Sequence, residues 1–433
     1  MRRGLKQGCP MSSILFLIYI ERVARDIYSS GWGYKLYFEE EGTYKTLKIP
    51  ILLFADDMLI LGQELGEMQE MLDICTNRVT ELGLEFNEKK SAIVSFNEGG
   101  LGGREMKIQG KILPEAEKYK YLGVTFCDNG DHLNVERDIR KCKADRGRRA
   151  VKARALWGFN RLIIARDLWK AIFVPAISYG NAVLVFGSEF EKKMEVVQRG
   201  VMRYAIGCGF TCANEFVEGE INYSTFLSRE FRSKIRYFWG LMENNGKWAN
   251  EIQKVKQINK IKTKLDRRVE FALRSVGLRG LEWTEESVER EERGLNRKIK
   301  GMREVEWQNG MEGKSSLQLY RKYKKEMVGN EIIYDNGEGS RLLANARAGM
   351  LNTRVYRSHF MNIVEDCGLC GEGAEDIEHV IKTCKFLGER EGQIEEYLGF
   401  GEEIKWDMLS GTKNRLIRWK WETGKIEDTE IFL

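Results

Sequence analysis

Two short apolar runs, Leu52-Leu53-Phe54 and Met58-Leu59-Ile60-Leu61, flank Ala55-Asp56-Asp57 and are bounded by Pro50 and Gly62. Runs this short predict strands, so the pattern reads as an antiparallel hairpin of two buried strands with Asp56 and Asp57 at its tight turn. Upstream, the hydroxyls of Ser12 and Ser13 are suited to cap a helix running from about Ile14 to Tyr28 and stopping near Gly31. Downstream, Met68, Met71, Leu72, Cys75, Val79 and Leu82 share one helical face that Gly83 ends, with the methionines as core. Leu84 and Phe86, then Ala92, Val94 and Phe96, alternate on either side of Asn87-Glu88-Lys89-Lys90-Ser91, which predicts strand, turn, strand. The order helix, hairpin, helix, hairpin suits an α+β layer in which helices cover one face of an antiparallel sheet.

Beyond Val135 the periodicity turns helical, at Ile139, Cys142, Leu156, Leu162, Ile163 and Leu168 and again at Met194, Val197, Val201 and Ala205. Trp239, Trp248, Trp283 and Trp307 fit as core anchors of these helices. With only four prolines in 433 residues, continuous helical packing is expected over long flexible linkers.

Composition narrows the class. A chain of 433 residues with 42% hydrophobic content can build two to four domains and is not disordered. The net charge of +5 conceals a dense cationic stretch, Arg137, Arg140, Lys141, Lys143, Arg146, Arg148, Arg149, Lys152 and Arg154, which is either a solvated helix face or a polyanion-binding surface. Nine cysteines, an odd number and mostly scattered, fit a reducing intracellular compartment, nucleus or cytoplasm. The apolar run Ile14–Ile20 after Arg2 and Arg3 is ended by Glu21 and Arg22 without a cleavage pattern, and it is too short to span a bilayer.

Three stretches carry candidate chemistry. Two buried like charges about 4 Å apart repel by about 4 kcal/mol at an effective dielectric near 20, so Asp56 and Asp57 call for a cation. Their oxygens suit Mg²⁺, and paired ions of this kind serve in-line phosphoryl displacement. The loop Gly4-Leu5-Lys6-Gln7-Gly8-Cys9-Pro10 before the first helix can bring unpaired backbone N–H groups close to a phosphate. Near the other end, Cys367, Cys370, His379 and Cys384 are spaced C-x2-C-x8-H-x4-C, the donor set of a closed, structural tetrahedral Zn²⁺ site.

Taken together, these motifs resemble the palm of a non-LTR (LINE-like) retrotransposon reverse transcriptase. The Gly4–Pro10 loop with Ser12 looks like the family's nucleotide and template loop, Phe54-Ala55-Asp56-Asp57 like its metal-binding hairpin, and Asn87–Ser91 like its Asn-x-x-Lys-Ser/Thr motif. Tyr119-Lys120-Tyr121-Leu122-Gly123-Val124 resembles the primer-grip hairpin, and the basic stretch followed by Trp169–Gly187 resembles the thumb. The resemblance implies that Asp56 and Asp57 hold Mg²⁺, that Lys90 acts on phosphate charge or the leaving group, and that Gln7, Gly8, Ser12, Phe54 and Ala55 face nucleotide and template. It assigns the primer end to Tyr121, Leu122 and Gly123, and the nucleic-acid backbone to Arg140, Lys141, Arg148, Arg149, Arg354 and Arg357. Arg341 and Arg347 would join this last group, while His359 stays on the surface as no zinc ligand.

The implied partition is a partial palm (1–97), a primer-grip region (98–128), a helical thumb (129–190), a helical connection (191–340) and a zinc-knuckle region (341–433). The implied partners are an RNA template, a DNA primer or target and deoxynucleotides, with no membrane. Two departures stand out. Ser13 occupies a position where the family usually has proline, and the family's third aspartate belongs to a strand upstream of the Gln-Gly loop. The expectation is therefore an N-terminally truncated RNA-directed DNA polymerase with a weak, incomplete Mg²⁺ site, inactive alone, or a non-catalytic nucleic-acid-binding remnant.

Overall fold

The computed structural model describes residues 9–96, 100–154, 160–242, 247–280, 283–327, 333–400 and 403–431. Two compact units emerge, residues 1–136 with 237–268 and residues 137–236 with 269–433.

The first unit starts with α1 (Pro10–Ser29), four residues earlier than the apolar pattern suggests. Proline at the first helical position is preset for helix and has no N–H to leave unpaired, so the N-cap is Cys9, and Ser12 and Ser13 lie inside the first turn. Ile20, Val23 and Ile27 of α1 pack with Met71, Cys75 and Val79 of α2 (Leu65–Glu81) and with Ile51, forming the unit's main core as the methionine reading requires. The opposite side of α1 is apolar yet open: Met11, Ile14 and Ile18 are each at least 60% exposed. Between the helices, β1 (Tyr34–Glu40) and β2 (Thr43–Ile49) pair from Tyr34↔Ile49 to Glu40↔Thr43. Hydrophobicity did not mark this hairpin, because β2 is mostly polar and exposed. Lys35 ties it to α2 through a 2.6 Å ion pair with the buried Glu67.

Next come β3 (Ile51–Phe54) and β4 (Asp57–Ile60), β5 (Lys107–Ile108) and β6 (Lys111–Ile112), and β7 (Lys118–Tyr121) and β8 (Val124–Cys127). Each ladder among the described residues has two strands, so four hairpins stand where one antiparallel sheet was expected. Residues 84–96 also depart from the expected strand pair, forming a 3₁₀ turn at Glu88–Lys90 and a single bridge from Ile93 to Glu115. The reason is local. The Gln109 side-chain amide takes the place of a partner strand, accepting from Phe86 N–H at 2.9 Å and donating to Leu84 O at 3.1 Å. Gln69 does the same for both backbone groups of Lys107, at 2.9 Å each.

The remainder is helical, as the periodicity predicts: α3 (His132–Arg154), α4 (Arg161–Leu168), α5 (Val174–Ser178), α6 (Ser188–Ile206), α7 (Asn214–Ile221), α8 (Phe226–Met242), α9 (Lys247–Ile258), α10 (Lys264–Ser275), α11 (Glu285–Met311) and α12 (Gln318–Tyr323). The C-terminal part adds α13 (Glu338–Arg347), α14 (Arg354–Ser358), α15 (Ile394–Tyr397) and α16 (Trp406–Ile431), with α13 packed along α16. Trp239 and Trp307 are buried as anchors should be, Trp283 is half-buried, and the Trp248 side chain lies outside what is described. No helix of the described residues is long and apolar enough to cross a membrane.

Two arginines expected on nucleic acid are core residues. Arg140 is 1% exposed, donates to Tyr179 O at 2.7 Å and lies over the Phe186 ring at 4.8 Å. Arg347 is 0% exposed and grips both oxygens of the equally buried Glu220, at 2.9 and 3.1 Å. It also donates to Leu398 O and Gly399 O, while the Tyr320 and Tyr334 hydroxyls donate to Glu220. Buried guanidinium groups persist only when paired and hydrogen-bonded in this way, so charge density alone mislocated both.

Candidate functional site

The aspartate pair sits on a hairpin as expected, with a sharper geometry. Phe54 pairs with Asp57, so Ala55 and Asp56 make a two-residue turn and Asp57 is the first residue of β4. Ala55 has φ +52°, a left-handed conformation uncommon for a residue with a Cβ. The strands are not buried on both faces. Ile51 is 3% exposed, but Leu52 and Phe54 point outward at 38% and 62%. Side chains alternate across a strand, so a continuous apolar run overstated the burial. Asp56 and Asp57 are likewise exposed, without a cationic partner among the described residues, so the burial cost invoked from sequence does not arise. Two adjoining, open carboxylates nevertheless match the hard oxygen donors that Mg²⁺ takes.

Two further motifs assemble in the same unit. In the Asn87–Ser91 turn, Asn87 Oδ1 accepts from Lys89 N–H at 3.1 Å and Ser91 Oγ donates to Asn87 O at 3.0 Å, so asparagine and serine build the turn and leave Lys90 exposed. The Tyr119 hydroxyl of β7 donates to Lys90 O, fastening the next hairpin to this turn. In that hairpin Tyr121 pairs with Val124 across Leu122 and Gly123, whose φ values of +45° and +80° give the doubly left-handed turn that matches strand twist. Burial pushes the Tyr121 phenol up, and the nearby Asp57 carboxylate adds to the shift. The aspartate hairpin and the Tyr121 hairpin are therefore neighbours. Gln7 and Gly8 lie outside the described residues, and Ser12 is in the first turn of α1.

On α3, the outward-facing cations include Arg146, Arg148, Arg149 and Lys152, with Lys141 half-buried and Arg140 turned into the core. Arg148 and Lys141 make i,i+3 pairs with Asp145 and Asp138, at 3.5 and 2.9 Å, which leave them solvent-accessible. Exposed pairs of this type hold their charges weakly.

The C-terminal cysteines and histidine come together. One donor atom from each of Cys367, Cys370, His379 and Cys384 lies within 4.8 Å of all the others. A tetrahedron with metal–sulfur bonds of about 2.3 Å and metal–nitrogen bonds of about 2.0 Å sets donors roughly 3.5–3.8 Å apart. Here Cys367 Sγ and Cys384 Sγ are 4.0 Å apart, and Cys370 Sγ is 3.4 Å from His379 Nε2, so the donor set fits zinc. His379 Nδ1 lies 3.2 Å from the Thr383 hydroxyl, an outer hydrogen bond that fixes the ring with Nε2 facing the sulfurs. A π-helical turn, His379–Thr383, carries the histidine, and Cys384 N–H closes it onto His379 O at 2.9 Å. Burial pushes the Cys367 thiol up to about 12, opposed by the Cys370 and Leu369 backbone N–H groups. His359 is exposed and outside the cluster, as expected. Arg354 and Arg357 are half-buried beside it, the Arg354 guanidinium lying against Gly368.

Sequence reading missed Arg415 of α16, which is 5% exposed and donates to Val380 O at 2.6 Å and Leu387 O at 2.8 Å, clamping both sides of the zinc-type loop. Its signal was available: Arg415 falls on the helical face shared by Leu409, Thr412, Leu416 and Trp419, where a lone cation must find buried acceptors.

Comparison with known families matches residues 1–126 to the family described as reverse transcriptase (RNA-dependent DNA polymerase). Residues 1–126 are a reverse transcriptase domain. Among curated proteins the chain is similar to the "Retrovirus-related Pol polyprotein from type-1 retrotransposable element R2" of Popillia japonica, 31% identical over 137 residues, which cover 29% of this chain and 18% of the relative. The protein of that name from Nasonia vitripennis is 27% identical over 158 residues, covering 33% and 14%. A third, from Bradysia coprophila, is 25% identical over 152 residues, covering 32% and 16%. The matched stretch thus spans less than a fifth of each relative's length. These relatives support a non-LTR retrotransposon reverse transcriptase, and the aspartate hairpin, the Lys90 turn and the Tyr121 hairpin all lie within the reverse transcriptase domain.

Proposed function

We propose that the chain acts in RNA-directed DNA synthesis for a non-LTR retrotransposon. The carrying observation is that Asp56 and Asp57 stand on an open hairpin turn beside the Tyr121 hairpin, inside the reverse transcriptase domain. In this reading Asp56 and Asp57 hold Mg²⁺, which when bound neutralises developing charge on the nucleotide phosphates. Gln7, Gly8, Ser12, Phe54 and Ala55 line the nucleotide and template, and the exposed aromatic face of Phe54 suits a base. Tyr121, Leu122 and Gly123 position the primer end, whose 3′-hydroxyl attacks the α-phosphate of a deoxynucleotide, and Lys90 balances charge on the departing pyrophosphate. Lys141, Arg148 and Arg149 meet duplex phosphates, and Cys367, Cys370, His379 and Cys384 hold a structural zinc that fixes the C-terminal region, with Arg354 and Arg357 next to it.

Two open carboxylates hold paired ions weakly, so these 433 residues are expected to bind a primer–template duplex well and extend it feebly. The check is primer extension on an RNA template with Mg²⁺, beside duplex binding, for the chain and for Asp56→Asn and Asp57→Asn. Both variants should bring extension to background and keep duplex affinity within about twofold. Extension by either variant at the parent rate would sink the metal assignment. The second reading, nucleic-acid binding without catalysis, is favoured by the exposed cations of α3, which need no metal. It requires duplex binding with no extension by the parent chain. Replacing Arg148 and Arg149 by glutamine should lower the salt slope of duplex binding by about one for each phosphate no longer neutralised, read from affinities across a salt series.

A further inference from the structure

Helix α8 carries arginines at 229, 232 and 236, the i, i+3, i+7 spacing that sets them on one face. Helix α11 runs antiparallel beside that face: Arg236 pairs with Glu292 at 3.3 Å at one end, and Arg303 donates to Tyr223 O, just before α8, at the other. Arg229, Arg232 and Arg303 thus gather along one seam of the second unit. Among the described residues none of the three has a carboxylate within ion-pair distance. Arg229 spends one terminal nitrogen on Gln198 Oε1 at 3.0 Å, and Arg303, 8% exposed, spends one on Tyr223 O. Arg232 is half-buried and has no hydrogen-bond partner there at all. Its Nε is enclosed, while its two terminal nitrogens, equally unpartnered, are not. The acids in reach are engaged elsewhere. Glu218 pairs with Arg199 at 2.6 Å, and Glu195 accepts from Phe226 N–H and, at 3.2 Å, from the Gln198 amide. Glu306, one turn beyond Arg303 on α11, acts on it only through space. Burial pushes the Arg229 guanidinium down to about 10; Glu195 opposes the shift, and the Arg303 and Arg232 charges add to it. Burial and the Arg236 charge lower Arg232 in the same direction. Like charges gathered away from water without a counter-ion cost stability, and a guanidinium fork matches the paired oxygens of a phosphate.

We propose that the seam between α8 and α11 binds a phosphate group, taken by the terminal nitrogens of Arg232 with Arg229 and Arg303 beside it. The phosphate rests on the arginine cluster itself. A nucleic-acid backbone as its carrier rests on the function proposed above.

The test uses the full chain without added Mg²⁺, with inorganic pyrophosphate and a fluorescent oligouridylate as probes and primer–template duplex binding measured on the same preparations. Arg232→Met keeps the side-chain stem and removes the charge; Arg232→Glu supplies the missing counter-charge. Without ligand, the thermal midpoint should stay level in the first and rise in the second, because a repulsion is relieved. Pyrophosphate should raise the midpoint of the parent chain. Arg232→Met should weaken pyrophosphate binding about tenfold or more, and Arg232→Glu should remove it. Loss of oligouridylate affinity, with a salt slope lower by about one in Arg232→Met, places the phosphate on a strand, whereas loss of pyrophosphate binding alone makes it a free phosphate. Parent-like behaviour of both probes in both variants would overturn the proposal. So would a lower unliganded midpoint in both, which would mean that the fold itself uses the charge. A parent chain that binds neither oligouridylate nor duplex would instead overturn the function proposed above, while the pyrophosphate series still decides the arginine cluster.

Discussion

Cys384→Ser is expected to unfold the segment around residues 366–388 and to release one bound zinc per chain. Three sulfurs and one imidazole within 4.8 Å of one another are the donor set a closed zinc site takes, and no partner of that strength replaces a lost sulfur. Zinc binding to modules of this size is worth on the order of 10 kcal/mol, comparable to the whole stability of many domains. Cys384 and Cys367 are 1% and 2% exposed, so no water can replace a lost sulfur without opening the loop. Zinc content by atomic absorption and limited proteolysis around Cys384 read the outcome, and a chelator acting on the parent chain should reproduce it. Unchanged protease resistance in a zinc-free chain would show that packing alone holds the segment.

The second large effect is expected at Arg347. Arg347→Met leaves the Glu220 carboxylate buried with two tyrosine hydroxyls and no facing guanidinium, and removing one member of such a pair costs about 3–5 kcal/mol. A shift of that size should appear in the urea midpoint. Pairing it with Glu220→Gln should recover part of the loss, since no uncompensated charge then remains. Burial pushes the Glu220 carboxyl up, but the Arg347 and Lys324 charges and the hydrogen bonds from Arg347 and Tyr334 outweigh it and hold it below the usual carboxylate range. Because the folded value is the depressed one, the stabilisation is complete at neutral pH, above the ordinary carboxylate range, and is lost as pH falls through the folded value. The parent should thus lose stability in acid more steeply than the double variant.

What the sequence made legible was chemistry at fixed spacing. The aspartate turn, the Tyr121 hairpin and the cysteine–histidine quartet each form from residues close in the chain, where local geometry leaves few alternatives. The core of α2 followed from periodicity for the same reason. Long-range side-chain partnerships were illegible. Nothing within a few residues of Arg140 or Arg347 tells that Tyr179 O or Glu220 will receive it, so both read as surface cations. Nor could alternation reveal that Gln109 would stand in for a strand beside Phe86, since one amide replaces a whole ladder there. The β1–β2 hairpin was missed because its strands are largely solvated, and polarity hides strands that bury little.

The helix α16 serves two masters. Within two turns it offers Arg415 to the zinc-type loop and Lys413 and Lys420 to Asp335 and Glu338, the acids just before and at the start of α13. A mutation that rotates or tilts this helix is therefore pleiotropic, and natural variation at its buried positions is open to selection from both sides at once. Lineages should change these residues together or hardly at all.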